Sequence, residues 1–183
     1  SATLINKVYE VIEAKNIFNI NYKNIDILIH PKSYIHALLK FNNGLIKIVA
    51  HETTMKIPIF NTLFHGTAKK FRTKNIDIKT LNNLNFEKVD KKKFPMVKLL
   101  KYLPNKSSLY ETIIVSANDT LVELFLEKKI KFTDIQKNLF KILKKNEFLK
   151  YKKIYAKNTK DIIKLNNYVR LKLLENVYKS TVI

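Results

Sequence analysis

The sequence predicts an α+β protein: a first helix and a small sheet, then a connector, then a C-terminal four-helix bundle. Three observations predict it. Residues 3–18 have the apolar spacing of a helix, Asn43-Gly44 separates two β-type segments, and helical spacing dominates the last half of the chain. The predicted boundaries are residues 1–64, 65–93 and 94–183.

The first predicted helix, residues 3–18, has one narrow polar strip. At about 100° per residue, its polar side chains cover roughly a third of the circumference. The strip consists of Asn6, Lys7, Glu10 and Glu13, with Thr3 beside it, and the opposite arc consists of Leu4, Ile5, Val8, Tyr9, Val11 and Ile12. Because a solvent-facing helix usually has a wider polar side, we expect this helix to be packed over most of its surface, with the polar strip facing a cleft.

The next segments predict strands and a short helix. "NIDILIHP" is rich in Ile and Leu and predicts a strand, and "SYIHALLKF" with "LIKIVA" predicts a hairpin. Asn-Gly is the strongest short signal for a hairpin turn. "MKIPIFNTLF" predicts a short helix or turn that is broken near Pro58. Together with the first helix, these elements form the predicted unit 1–64.

Residues 65–93 have polar clusters and end in a lysine run, which is typical of a connector. Beyond them, Ser108 with Glu111 and Thr133 with Gln136 have the spacing of capping boxes at helix starts. Amphipathic helices are predicted at 110–129, 133–148 and 159–180, and a shorter one begins near Pro95. These four predict the bundle 94–183.

Composition limits the classes of function. The net charge is +20, but only two of the 35 basic residues are arginine, the residue that nucleic-acid readers favour. Lysine, asparagine and isoleucine are abundant together, which is typical of AT-rich coding. A nucleic-acid partner is therefore not expected, although a basic nucleic-acid-binding module is kept as an alternative. With no apolar run near 18 residues, no secretory signal and no cysteine, we expect no membrane partner and a bacterial-type cytoplasm or a plastid-like organelle.

The candidate chemistry lies mainly on the first helix. Glu10 could bind a hard divalent cation, Asn6 lies one turn before it, and Lys7 could hold a phosphate. On the pattern alone, an ordinary amphipathic helix with solvated polar groups is the favoured interpretation. With two glycines, the chain lacks a glycine-rich phosphate loop, so any nucleotide cofactor must be bound chiefly by residues outside this sequence.

Five blocks resemble the 1-deoxy-D-xylulose 5-phosphate reductoisomerase family, in order and over the whole chain. They are "SATLINKVYEVIEAKNIFNI", "LIHPKSYIHALLKFNNG", "MKIPI", "FPMVKL" and "SANDTLVELFLEKKIKFTDI". The resemblance implies that residues 1–64 are the C-terminal half of a catalytic and dimerisation domain. It also implies that residues 94–183 are the family's C-terminal helical domain.

The resemblance further implies a role for individual residues. Ser1, Asn6 and Lys7 are expected to bind the phosphate and hydroxyls of the substrate. Glu10 is expected to ligate the catalytic metal and to touch the substrate. His36 is expected to act in the active site and Met55 to border the nicotinamide.

The activity that the resemblance implies is an NADPH-dependent isomeroreduction with Mg²⁺ or Mn²⁺. It converts 1-deoxy-D-xylulose 5-phosphate to 2-C-methyl-D-erythritol 4-phosphate in non-mevalonate isoprenoid synthesis. In the family, the NADPH domain and the other metal carboxylates lie upstream of the segment that matches Ser1. We therefore expect this chain to be inactive alone, to need that N-terminal half in cis or in trans, and to form a homodimer. A decayed, non-catalytic homologue is the second alternative.

Overall fold

The computed structural model describes residues 2–75 and 77–181, and the chain divides into two compact units. Unit 1 combines Ser1–Asp26 with Asp90–Ile183, and unit 2 is Ile27–Val89. These boundaries differ from the sequence-based ones, which group the first helix with the strands. The difference arises because the helix packs against segments about 90 residues later in the chain, as the 92-residue separation of Lys15 and Ser107 illustrates.

The α+β class with a helical C-terminal part is confirmed, and its elements are as follows. The helices are α1 (Ile5–Phe18), α2 (Lys56–Leu63), α3 (Ile78–Leu81), α4 (Leu109–Leu126), α5 (Phe132–Leu143), α6 (Asn146–Leu149) and α7 (Thr159–Thr181). The strands are β1 (Leu28–Ile29), β2 (Ile35–Lys40), β3 (Ile46–Ala50) and β4 (Glu87–Lys88). Further 3-10 helices lie at Tyr22–Asn24, Pro95–Lys101 and Lys150–Lys153.

Unit 1 is built around α4, which packs against α5 and α7. Most of the apolar side chains of α4 are buried. The Tyr110 hydroxyl donates a 2.8 Å hydrogen bond to the Leu143 carbonyl inside the core. The α4 residues with no exposed surface are Tyr110, Ile113, Ile114, Ala117 and Leu121. Helix α1 packs against the 3-10 helix Pro95–Lys101 and contributes Ile5 and Val8 to the same core.

One predicted helix start is confirmed and one is wrong. The Ser108 hydroxyl accepts a hydrogen bond from the Tyr110 N–H, and the Glu111 carboxylate accepts one from the Ser108 N–H. Thr133, in contrast, lies inside α5, because Asp134 accepts a hydrogen bond from the Lys131 N–H and so starts the helix before Thr133. The helix expected near Pro95 is a 3-10 helix.

Unit 2 contains the predicted hairpin. Strands β2 and β3 pair antiparallel, with Lys40 opposite Ile46, and the Phe41 N–H donates to the Leu45 carbonyl at 2.9 Å. Gly44 closes the loop with φ +86°, a left-handed conformation that glycine adopts without steric cost. In the predicted connector, β4 pairs with β1 through Leu28 and Lys88.

Helix α2 is not broken at Pro58, contrary to the expectation from sequence. Pro58 is the third residue of the helix, where a backbone N–H has no partner within the helix, so a proline is tolerated there. Within residues 2–75 and 77–181, no helix has the length and apolar character needed to cross a membrane.

Candidate functional site

The polar strip predicted from sequence lies on an exposed face of α1. Asn6, Lys7 and Glu10 are all exposed, whereas Val8 and Val11 on the other side are 0% and 5% exposed. The expected burial of the apolar arc is thus observed. The described residues of unit 1 leave the polar strip exposed rather than covered by a cleft wall, so its side chains are accessible to a ligand.

The residue that precedes α1, Leu4, has an apolar side chain and makes no capping hydrogen bond. Leu4 precedes the helix with φ +57°. This left-handed conformation is unfavourable by about 1 kcal/mol or more for a residue that has a β-carbon. The Thr3 hydroxyl accepts a long hydrogen bond, 3.4 Å, from the Ile5 N–H. The first turn therefore presents N–H groups with a partial positive charge beside Asn6 and Lys7, which favours an anion there.

Lys7 and Glu10 form an ion pair across one turn of the helix. The Lys7 ammonium lies 2.8 Å and 2.7 Å from the two Glu10 carboxylate oxygens. The side chains are 48% and 55% exposed, and exposed pairs of this kind contribute about 0–1 kcal/mol. A metal ion or a phosphate could therefore displace the pairing at little cost.

Glu10 has the chemistry of a hard-metal ligand, but it stands apart from other ligands. Within the described part of the chain, no three His, Cys, Asp or Glu side chains are close enough to hold a metal ion together. A carboxylate oxygen suits Mg²⁺ or Mn²⁺. Glu10 therefore offers the type of oxygen donor that such an ion takes, but the described residues do not place two further carboxylate or histidine ligands beside it.

His36 lies in unit 2, where it stacks on a second histidine. The His36 and His51 rings are 3.6 Å apart between centroids and inclined by 10°. The His36 Nε2 atom lies 3.2 Å from the His51 carbonyl, and the His51 Nδ1 atom lies 2.6 Å from the Glu52 carbonyl. Sequence reasoning missed His51, although counting both strands back from Asn43-Gly44 brings residue 36 close to residue 51.

Met55 also lies in unit 2, immediately before α2. Its side chain is 70% exposed, so it is available to contact a ligand or another part of a larger protein. The structure thus places Asn6, Lys7 and Glu10 together on one unit, and His36 and Met55 on the other. Ser1 lies outside the described residues.

A polar cluster beneath α1 was also missed from sequence. The Tyr9 hydroxyl and the Asn118 side-chain oxygen are both shielded from solvent and have no hydrogen-bond partner among the described residues. Burial, and then the Asp119 carboxylate, raise the pKa of Tyr9. Tyr9 therefore remains a neutral phenol, and its side chain points about 100° around α1 from that of the exposed Glu10.

Two thirds of the chain match a known family model. Residues 51–172 match the DXP reductoisomerase C-terminal domain. The 1-deoxy-D-xylulose 5-phosphate reductoisomerase of Pelagibacter ubique (strain HTCC1062) is 59% identical over 173 residues, which cover 94% of this chain and 45% of that protein. The Aquifex aeolicus (strain VF5) reductoisomerase is 38% identical over 135 residues, covering 74% of this chain and 36% of that protein.

Solved structures of reductoisomerases have the same fold over almost the whole chain. One, from Zymomonas mobilis in complex with NADPH, has a TM-score of 0.82 at 29% identity and covers 97% of this chain and 46% of that chain. Another, of DOX-P reductoisomerase in complex with NADPH, fosmidomycin and magnesium, has a TM-score of 0.86 at 27% identity. It covers 97% of this chain and 44% of that chain. This chain therefore spans less than half the length of each relative.

Proposed function

Because the chain belongs to the 1-deoxy-D-xylulose 5-phosphate reductoisomerase family, we propose that it supplies part of the active site of such an enzyme. The reaction is the conversion of 1-deoxy-D-xylulose 5-phosphate to 2-C-methyl-D-erythritol 4-phosphate. The observation that carries this proposal is the exposed face at the start of α1, where Asn6, Lys7 and Glu10 lie together. Family membership favours this function over a basic nucleic-acid-binding module or a decayed homologue.

Asn6 and Lys7 bind the sugar phosphate in this proposal. The Lys7 ammonium provides a full positive charge, and the Asn6 amide can donate and accept. The N–H groups of the first turn of α1 add a partial positive charge, since Leu4 makes no capping hydrogen bond to them. Ser1, which lies outside the described residues, is proposed as a further substrate-binding residue. Holding the phosphate restrains the reacting carbons in one pose, which lowers the entropic part of the barrier.

Glu10 is proposed as one ligand of Mg²⁺ or Mn²⁺. Such an ion, when bound, acts as a Lewis acid on the substrate's oxygens. To bind the ion, Glu10 must give up its ion pair with Lys7. Because both side chains are exposed, this pair contributes little free energy, and losing it is a small penalty. Lys7 is then released for the substrate, so the pair links metal binding to substrate binding.

His36 and Met55 are proposed to face the substrate and the cofactor, respectively. The stacking partner His51 restricts the orientation of the His36 ring, which favours a defined hydrogen bond from it to the substrate. The exposed Met55 thioether offers an apolar contact for a nicotinamide ring. NADPH itself is proposed to be bound chiefly by another part of the enzyme.

The remaining proposals concern assembly and location. We propose that this chain is inactive alone, works with the NADPH- and metal-binding half in cis or in trans, and forms a homodimer without nucleic-acid or membrane partners. A bacterial-type cytoplasm or a plastid-like organelle is the proposed location. The bacterial origin of the relatives supports the first of these.

Replacing Glu10 by Gln in the full-length enzyme tests the proposal. Loss of a metal ligand should lower kcat at least about a hundredfold and weaken activation by Mn²⁺, since even groups that only orient metal ligands are worth about 10–100-fold. The matched control is Glu13→Gln, one turn further along α1 and also exposed, which should change kcat less than about twofold.

The measurement is steady-state turnover across a Mn²⁺ titration, with circular dichroism to confirm that each variant is folded. Near-normal turnover of the Glu10→Gln variant at saturating Mn²⁺ would show that Glu10 is not a metal ligand. Equal losses for both variants would show that the effect is not specific to Glu10 and would contradict its assignment as the metal ligand.

A further inference from the structure

A second candidate site lies in unit 1, at the C-terminal end of α1. There the helix end, the loop 104–107 and the segment 152–155 border an open groove of about 810 Å³. Four of the side chains that line it are lysines, and none is acidic. They are Lys15, Lys106, Lys152 and Lys153. Lys15 follows Glu10 by five residues and so points about 140° away from it around the helix.

Lys15 is the unusual member of this groove, because it is a buried lysine. Lys15 is only 8% exposed. Among the described residues, no carboxylate oxygen lies within 4.0 Å of its ammonium nitrogen. Lysine is almost never fully buried unless it is paired, since removing an ammonium from water is costly. Its position therefore requires compensation from some other group.

The groups that contact the Lys15 ammonium are neutral. The ammonium donates to the Ser107 hydroxyl at 2.8 Å and to the Asn16 side-chain oxygen at 3.1 Å, and the Tyr22 ring centroid is 5.7 Å away. The Ser107 hydroxyl in turn donates to the Asn16 oxygen at 2.7 Å. This network fixes the position of the ammonium, and the Glu111 carboxylate, which accepts a hydrogen bond from the Tyr22 hydroxyl, attracts its charge from beyond 4.0 Å.

The Lys152 ammonium also lies close to neutral groups, here two tyrosine rings. It lies 4.8 Å from the Tyr110 ring centroid and 5.8 Å from that of Tyr102. The aromatic faces attract the cation without adding a negative charge. Lys106 and Lys153 are exposed and add two more positive charges to the same groove.

We propose that this groove binds a small organic phosphate, specifically one with two or more phosphates and a planar group, such as a nucleoside di- or triphosphate. The phosphates lie against the four lysines, whose combined charge exceeds that of the one carboxylate, Glu111, that interacts with Lys15. The exposed Tyr155 ring, 70% accessible, offers a surface for stacking the planar group. The groove volume is within the range of small-molecule sites.

A single-stranded RNA fits these observations less well. The groove is bounded by two loops and offers one exposed aromatic ring, Tyr155, whereas RNA-binding surfaces present several stacking residues along a continuous positive track. The chain also has only two arginines. Binding of an RNA oligonucleotide is therefore treated as the competing outcome.

The test is isothermal titration calorimetry on the full-length protein with ATP, ADP, AMP and pyrophosphate, at about 150 mM salt so that unspecific attraction is screened. We expect saturable binding, with ATP and ADP tighter than AMP. The variant Lys106→Ala/Lys153→Ala should weaken binding about tenfold or more. Lys15→Met should abolish it; if this variant fails to fold, the exposed double variant decides.

The matched control uses another groove of unit 1. That groove, on α5, is also lined by three lysines but by none that is buried. Lys137→Ala/Lys144→Ala removes the same charge there and should change affinity less than about twofold. Equal weakening by the two double variants, no saturable binding by the wild type up to millimolar ATP, or binding of an RNA oligonucleotide in place of nucleotides would each overturn the proposal.

Discussion

The two units of the chain bury their apolar side chains very differently. In unit 1, residues from α1, α4, α5 and α7 form one continuous core in which many side chains have no exposed surface. In unit 2, the apolar residues of the hairpin are exposed on both faces, with Leu39 45% and Ile48 52% accessible. Unit 1 therefore holds itself together by burial, whereas unit 2 depends chiefly on its strand pairing and turns.

This difference bears on how the proposed site works. The face with Asn6, Lys7 and Glu10 belongs to the well-packed unit, so its geometry is supported by Val8 and Val11 from behind. His36 and Met55 belong to the unit with little burial. The proposed metal and phosphate contacts are thus on well-packed residues, whereas the residues proposed to face substrate and cofactor lie where adjustment on binding is easier.

The largest effect expected from this comparison is on stability. Replacing Leu121, which is 0% exposed in α4, by Ala should lower the free energy of unfolding by about 2–5 kcal/mol, because it leaves a cavity in the core. The same change at Leu63, 71% exposed at the end of α2, should alter it by less than about 0.5 kcal/mol. Urea unfolding followed by helical circular dichroism measures both.

Leu121 and Leu63 are matched in residue type and helical setting, so the pair isolates burial. A loss of 2 kcal/mol or more at Leu63 would show that unit 2 has a covered apolar face in the assembled protein. A small loss at Leu121 would contradict the assignment of α4 to the centre of the core.

Local signals in the sequence predicted the elements better than their grouping. The α1 periodicity, the turn at Gly44 and the cap at Ser108 each depend on residues within a few positions, and each is confirmed. The pairing of Leu28 with Lys88 was missed, since two-residue strands have no alternation to recognise. The partnership of α1 with the C-terminal helices was also missed, because it depends on contacts far apart in sequence.

The candidate site shows the same limit. Its strip of Asn6, Lys7 and Glu10 follows from helical geometry and could be predicted. The Lys7–Glu10 pairing is a local consequence of that spacing. Counting back from Asn43-Gly44 brings His36 near His51, but the exact stack also depends on the irregular register between Ile35 and Ala37, which the sequence does not show.

A second, smaller effect on the free energy of unfolding is expected from removing a helix cap in unit 1, compared with removing one in unit 2. Ser108→Ala removes the acceptor for the Tyr110 N–H at the start of α4 and should cost about 1 kcal/mol of unfolding free energy. Asp77 caps the four-residue helix α3. Asp77→Ala should leave the helical transition of unit 1 unchanged, since α3 is short and exposed.

Thr133→Ala provides the internal control for this measurement. Its spacing to Gln136 imitates a capping box, but the residue lies within α5, so the change should have no measurable cost. A destabilisation equal to that of Ser108→Ala would show that α5 starts at Thr133 after all. A shift of the helical transition by Asp77→Ala would show that the two units unfold together.

The smallest expected effect is a difference in pH dependence between the same two helix starts. Burial raises the pKa of Glu111 above its ordinary 4.5, against the opposing hydrogen bond from Tyr22. The hydrogen bond from the Thr80 hydroxyl lowers the pKa of Asp77 below its ordinary 3.8. Carboxyl titration by nuclear magnetic resonance should therefore give midpoints displaced in opposite directions.

The consequences for stability also have opposite signs. A raised pKa means that the folded state holds the proton more tightly, so the contribution of Glu111 is present below pH 4.5 and is lost as the pH rises through its raised pKa. The contribution of Asp77 is present above pH 3.8 and is lost as the pH falls through its lowered pKa. The wild type should therefore lose stability relative to the Glu111→Gln variant as the pH increases from 4.5 to 7. A Glu111 midpoint below 4.5 would show instead that its hydrogen bonds outweigh burial, and that the start of α4 is more open to water than the core behind it.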